Sequence, residues 1–339
     1  MPTTTPGGQA GPGRGAGASG RDGPDAGASP SRSLGAALEA GPVVLDGGLS
    51  NQLEAQGCDL SDALWSARLL LDAPEQIEAA HAAYVRAGAQ VLITAGYQAT
   101  AEGFARRGIG PAATGELLVR SVELARRAAA GAPDRQTWVA ASVGPYGAML
   151  ANGSEYRGRY GLTVAELARF HRPRMAAYAR AEPDVLALET VPDTDEARAL
   201  LEVAGEFGLP VWLSYSVAGG RTRAGQSLAE AFALAAGNDQ VVAVGVNCCD
   251  PDEMEAAVRT AAETTGKPVV AYPNSGERWD AAARGWAGEP TFAAGRAVAW
   301  TRAGARLVGG CCRVGPAEIA ALVEALAERH PPSGPAPGR

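Results

Sequence analysis

The chain has 339 residues, 46% hydrophobic and 20% charged, with a formal net charge of −7. This composition supports a large buried core, and the acidic balance argues against a protein built to bind nucleic acid or an anionic membrane surface. No apolar run reaches the roughly eighteen residues of a membrane-spanning helix, so no span is expected.

The first 33 residues are mostly Gly, Ala, Pro, Ser and Thr and lack the apolar centre of a secretory signal. Too little of this segment can be buried to offset its ordering entropy, so residues 1–33 are expected to form a disordered leader. The proline-rich end, 331–339, reads as a disordered tail.

From 41 to 330 one pattern recurs, a short β-rich apolar run followed by a longer Ala/Leu/Glu/Arg stretch at helical spacing. The expected strands are Val43–Leu45, Gln90–Thr94, Thr137–Ser142, Val185–Leu188, Pro210–Tyr215, Val241–Val246, Pro268–Tyr272 and Arg306–Val308. The expected helices are Pro74–Ala87, Gly115–Ala130, Val164–Ala181, Asp193–Phe207, Leu228–Ala236, Asp250–Thr264, Thr291–Ala303 and Pro316–Glu328. Pro74 and Pro316 are helix-start signals, because proline at the first helical position lacks an N–H that has no partner there anyway. Near-continuous apolar strands alternating with helices imply a parallel sheet covered on both faces. Eight such units predict an α/β fold, a single (β/α)8 TIM barrel over 41–330. A doubly wound open sheet is the alternative, but Asp46-Gly47-Gly48 does not continue into its glycine-rich phosphate turn.

The polar residues fall where barrel active sites lie, just after each strand. They include Asp46, Thr94, Tyr97 and Gln98, Gly144-Pro145-Tyr146-Gly147, Glu189-Thr190, Ser214 and Ser216, Asn247-Cys248, Asn274 through Glu277, and Cys311-Cys312. Four of the five cysteines therefore occupy strand ends. An odd count with two vicinal pairs does not suit a disulfide framework, and a reducing, cytoplasmic compartment is expected.

Two consecutive residues at a strand end cannot both face one core, so Cys311 and Cys312 are not both packing residues. With Cys248 or Cys249, which spacing alone does not separate, they provide three thiolates for zinc. Three protein ligands leave a fourth position for substrate, the catalytic arrangement. Cys58, on its own, reads as a packing residue. His81, His171 and His330 all fall in helical stretches, so histidine-based catalysis is not expected.

The segments Asp46-Gly47-Gly48-Leu49, Thr94-Ala95-Gly96-Tyr97-Gln98-Ala99-Thr100, Gly144-Pro145-Tyr146-Gly147, Gly153-Ser154-Glu155-Tyr156-Arg157-Gly158, Glu189-Thr190, Asn247-Cys248, Tyr272-Pro273-Asn274-Ser275-Gly276-Glu277 and Gly309-Gly310-Cys311-Cys312 occur in this order. Together, over about 41–328, the chain resembles the zinc-dependent homocysteine S-methyltransferases, in particular their single-domain branch using S-methylmethionine or S-adenosylmethionine. The resemblance implies that Cys248, Cys311 and Cys312 hold Zn2+ and that Cys249 is a neighbour. It also implies that Asp46, the Gly47-Gly48 backbone and Glu189 receive the amino-acid end of L-homocysteine. Thr94, Tyr97, Gln98 and Asn274 are expected around the substrates, with Tyr146 and Tyr156 offering ring faces to a sulfonium methyl donor. Gly96 departs from the serine usual in that segment, and Asn152 and Arg159 stand where acidic residues are common. The expected activity is methyl transfer to the homocysteine thiolate, giving methionine. The alternatives are a betaine-type methyltransferase and a non-catalytic zinc- or thiol-binding barrel.

Overall fold

The computed structural model describes residues 32–280 and 285–328. The expected leader up to Ser31, the tail, and His330 lie outside the described residues. Eight strands form one sheet: β1 Val43–Val44, β2 Val91–Ile93, β3 Trp138–Val143, β4 Val185–Val191, β5 Val211–Tyr215, β6 Val241–Asn247, β7 Val269–Tyr272 and β8 Ala305–Val308. Each pairs in parallel with its neighbours in sequence, and β8 returns to β1 with Val43 opposite Leu307. A parallel bridge between Leu45 and Val91 closes the ring, supported by the bond from Asp46 N to Val91 O at 3.0 Å. This is the expected (β/α)8 barrel.

Strand periodicity sorts the core into two layers. Val43, Leu45, Val91, Ile93, Ala140, Ala187, Ala243 and Leu307 point into the barrel, whose lumen Trp138 and Trp212 also fill. The intervening residues, such as Val44, Leu92, Val139, Leu186, Leu213 and Val244, point outward beneath the helices. Each fully buried side chain of this size contributes about 1.5–3 kcal/mol, and a one-residue slip would exchange the two sets, so register is tightly specified.

The main helix after each strand runs, in order, Pro74–Ala87, Pro111–Ala130, Val164–Ala181, Thr194–Phe207, Leu228–Ala233, Met254–Thr265, Arg296–Ala303 and Pro316–Ala327. Thr163 and Glu166 form a reciprocal capping box, and Asp193 Oδ1 accepts from the amides of Asp195 and Glu196.

Several boundaries differ from expectation for local reasons. The second of these helices starts at Pro111, not Gly115, because proline occupies its first turn. Asp250 caps a short 3-10 turn, Pro251–Glu253, before the α-helix begins at Met254. Between Thr291 and Ala303, only Arg296–Ala303 is helical. An unanticipated helix, Leu34–Ala40, places Leu34 and Leu38 among the lumen residues, and Arg32 O accepts from the indole of Trp138 at 2.9 Å. It therefore packs across the N-terminal end of the barrel.

Candidate active site

The cysteines meet at the C-terminal mouth because β7 lies between β6 and β8 and its end ties both to itself. Cys248 N donates to Tyr272 O at 3.2 Å and Cys311 N to Pro273 O at 2.6 Å. Asn274 continues the splint: its amide N–H donates to Cys249 O at 2.9 Å and its side-chain oxygen accepts from Cys312 N at 3.2 Å. In this structure Asn274 holds the cysteine loops.

The result is a cluster of Cys248, Cys311 and Cys312, whose sulfurs all lie within 4.8 Å of one another. Cys248 and Cys311 are 2.7 Å apart, and Cys311 and Cys312 are 3.9 Å apart. Cys249 points the other way and is buried among outer-layer core residues, while Cys58 packs at that layer's edge. Hydrogen bonds from Cys248 and Cys311 hold the Cys312 thiol well below its ordinary range. The Cys311 thiol is pushed well up by its hydrogen bonds to Cys248 and Cys312 and by burial. Sulfurs this close repel one another once ionised, and a cation held between them would offset that repulsion. Three crowded sulfurs are the donor set that suits a borderline-soft divalent ion such as zinc.

Strain accompanies the cluster. Thr190 has φ +57 and Cys248 φ +51, left-handed values that are outliers for these residue types. Thr190 sits where the β4–β5 register shifts, between Leu188 and Val191. Asn247 holds it there. The Asn247 carboxamide oxygen accepts from Thr190 N at 2.7 Å and from Ser214 Oγ at 2.8 Å, and its NH2 donates to Thr190 Oγ1 at 2.7 Å. The Thr190 hydroxyl then contacts the Cys248 sulfur at 3.9 Å. The sequence placed Asn247 beside the site but gave no sign of this clamp.

Two buried carboxyls lie on the same side. Asp46 Oδ2 accepts from Ile93 N at 2.8 Å, and Oδ1 accepts from the Tyr272 hydroxyl at 3.2 Å. Burial pushes the Asp46 carboxyl well up, and the charge of Glu189 adds to the effect. Glu189 accepts from the Ser142 hydroxyl and is pushed up to about 7 by burial. A cation placed beside either carboxyl would favour its charged form. Tyr272 and Ser142 are the supporting residues that sequence reasoning did not single out.

Gly47 and Gly48 complete this side. A Cβ on Gly48 would lie 2.6 Å from Cys311 O, so only glycine lets the first rim turn meet the cysteine loop. The Gly48 amide already donates to Val314 O at 2.9 Å. Thr94 is buried, with its hydroxyl accepting from Ser142 N at 3.1 Å, and Gln98 donates to Ala148 O at 3.1 Å. Both brace the rim. Tyr97 is half-buried beside Thr190, and burial and the neighbouring Cys248 push its hydroxyl well up, keeping it protonated. The expectation for Tyr146 fares differently: its ring packs against Tyr160 and Phe170 at 5.2 and 4.9 Å. Tyr156 is 38% exposed, with the Arg223 guanidinium 5.2 Å from its ring centre.

Comparison with known proteins agrees with this architecture. A family model described as homocysteine S-methyltransferase matches residues 43–326. A homocysteine S-methyltransferase of Escherichia coli K12 is 46% identical over 290 residues, covering 83% of this chain and 94% of the relative. A selenocysteine Se-methyltransferase of Brassica oleracea var. italica is 40% identical, with 86% and 90% covered. Among solved structures, a metallated form of an Escherichia coli homocysteine methyltransferase superposes with a TM-score of 0.76 at 43% identity, over 84% of this chain and 98% of that one. With a thiol cluster at the barrel mouth and a family match over residues 43–326, the chain belongs to the homocysteine S-methyltransferase family and is a methyltransferase.

Proposed function

We propose that the protein transfers a methyl group from a sulfonium donor, S-methylmethionine or S-adenosylmethionine, to L-homocysteine, giving methionine, with zinc held by Cys248, Cys311 and Cys312. The observation that carries this reading is the convergence of those three sulfurs within 4.8 Å at the C-terminal mouth, beside two buried carboxyls. The metallated state of the Escherichia coli relative supports a metal here. When bound, zinc supplies a low pKa for a fourth sulfur and keeps it a thiolate near neutral pH.

The chain's own residues then bind and align. Asp46 and Glu189 take the homocysteine ammonium, their carboxyls oriented by Tyr272, the Ile93 amide and Ser142. The Gly47-Gly48 turn meets the substrate carboxylate, and with the Gly48 amide already bonded to Val314, Gly47 is the donor assigned to it. Tyr97 and Tyr156 border the donor, whose positive charge competes with Arg223 for the Tyr156 ring. The homocysteine sulfur attacks the methyl carbon, the carbon–sulfur bond of the donor breaks, and its electron pair stays on the departing sulfur. That sulfur leaves as a neutral thioether, so no general acid is required, and alignment supplies much of the rate. A reducing, cytoplasmic setting fits three free thiols.

The test is methionine formation from homocysteine by zinc-loaded protein, with S-methylmethionine, S-adenosylmethionine and glycine betaine in parallel. Turnover with either sulfonium supports the reading. Turnover with betaine alone moves the protein to the betaine-type branch, and zinc binding without product favours a non-catalytic thiol-binding barrel. The selenocysteine-methylating relative makes L-selenocysteine the second acceptor to try.

A further inference from the structure

A chain of fully buried charged and titratable side chains lies behind the rim, outside the site just described. Arg174 is 2% exposed, and His171 and Glu196 are 0% exposed. One Arg174 nitrogen, Nη2, lies 2.6 Å from Gly144 O and 2.7 Å from His171 Nδ1, while Nη1 donates to Tyr97 O at 3.4 Å. The other ring nitrogen of His171 lies 2.9 Å from Glu196 Oε1, and the same oxygen accepts from Tyr146 N at 2.5 Å.

The direction of this chain follows from its chemistry. A guanidinium only donates, so His171 Nδ1 is an acceptor and its proton sits on Nε2, facing Glu196. The imidazole thereby couples helix Val164–Ala181, which carries His171 and Arg174, to helix Thr194–Phe207, which carries Glu196. The far ends of the chain grip main-chain atoms of two rim loops, those after β2 and β3.

Arg174 brings the carbonyls of Tyr97 and Gly144 onto one cation, where two carbonyl dipoles would otherwise repel. The two residues are in tight contact: a Cβ on Gly144 would lie 2.5 Å from Tyr97 O and 2.7 Å from its ring. Tyr97 extends from this anchor to the neighbourhood of Thr190 and Cys248. Glu196 meanwhile holds the first amide of the turn Tyr146–Leu150, where Ala148 O receives Gln98 from the other loop.

We propose that Arg174, His171 and Glu196 form a buried relay that positions Tyr97 and the Tyr146–Leu150 turn, making Arg174 a positioning residue for the methyl-donor side of the site. This rests on the reading of the site given above. None of the three touches the reacting atoms. Their effect on the reaction passes through Tyr97.

The test is a double-mutant cycle on the full-length zinc-loaded protein: Arg174→Met, Tyr97→Leu and the pair, with kcat, both KM values and zinc content measured for each. Misplacing Tyr97 is expected to raise the donor KM or lower kcat on the order of ten- to a hundredfold in Arg174→Met, with homocysteine KM and zinc content unchanged. The pair is expected to be no worse than Tyr97→Leu alone, since the two act through one contact. Additive losses, an unchanged Arg174→Met, or a parallel loss of zinc overturns the relay. If Arg174→Met fails to fold, Arg174→Lys takes its place, because one ammonium cannot reproduce the fork that reaches both carbonyls and the imidazole. Wild-type protein that makes no methionine overturns the proposed function instead, and the relay is then read from amide exchange. Exchange over 96–100 and 144–150 should quicken in the Arg174 variant while the strand amides stay slow; equal exchange overturns it.

Discussion

The Cys248 sulfur lies 2.7 Å from that of Cys311, although the two residues are 63 positions apart. Their strands are not neighbours, and β7 brings them together by accepting the backbone N–H of each at its own end. Because this cluster caps the barrel and is not part of its core, replacing a member should cost function and not the fold. Cys311→Ala is expected to lose zinc and methyl transfer together while keeping the far-UV circular dichroism and a cooperative melt. Unfolding on loss of zinc would instead identify a structural metal site.

Cys249 provides the matching control. Its side chain is buried among outer-layer core residues, away from the other sulfurs. Cys249→Ala is expected to destabilise the protein by about 1–2 kcal/mol through lost packing, with zinc stoichiometry and kcat retained. A variant that is stable but metal-free would contradict the assignment of Cys248 over its neighbour.

Asn247 offers a different kind of test, since it secures a strained residue. Removing its amide leaves the Thr190 N–H and hydroxyl and the Ser214 hydroxyl without their buried partner. Asn247→Ala should cost about 2–4 kcal/mol of stability. Because Thr190 contacts the Cys248 sulfur, zinc affinity should fall roughly ten- to a hundredfold, measured by chelator competition. Unchanged affinity in a folded variant would show that the clamp serves stability alone.

On the acceptor side, the proposed function has Asp46 bind the substrate ammonium in the ground state. Asp46→Asn keeps an oxygen for the Ile93 amide but removes the charge. Homocysteine KM should rise by about tenfold or more with kcat little affected, the pattern of lost uniform binding. A fall in kcat at constant KM would place Asp46 in the transfer step itself.

Glu196 gives a prediction in pH. Burial first, and Asp193 next to it, push its carboxyl up to about 8 from 4.5, against the lowering effects of the Tyr146 amide, Arg174 and Tyr160. A carboxyl with a raised folded pKa binds more protons when folded. Its contribution is therefore most favourable below about 4.5 and declines as pH climbs to about 8. Glutamine cannot ionise, so the stability of Glu196→Gln relative to wild type should increase across that window and level off above it. Melting temperatures at matched ionic strength give the comparison, and a difference independent of pH would show that the shift is absent.

Much of this protein is written locally. Eight apolar runs alternating with amphipathic stretches specify a parallel barrel, because period-two burial on both strand faces has few other solutions. Polar residues directly after those runs mark the C-terminal mouth, and the paired cysteines mark its chemistry. Helix Leu34–Ala40 was not legible, since seven residues carry little periodicity and its apolar face has meaning only against the open end of the barrel. Local signals likewise could not show that Cys249 turns into the core while Cys248 turns to the site. Spacing leaves the two equivalent, and Cys248 adopts its left-handed backbone between contacts with Thr190 and Tyr272. The relay from Arg174 to Glu196 is the extreme case. In sequence these are ordinary charged residues on two helices, and only burial against the rim loops obliges them to find one another. Sequence by itself determined the barrel, its active end and the thiols, because those follow from repeating local patterns. Tertiary structure alone decided which side chains converge there and what holds them, because hydrogen bonds between distant strand ends depend on closure of the ring.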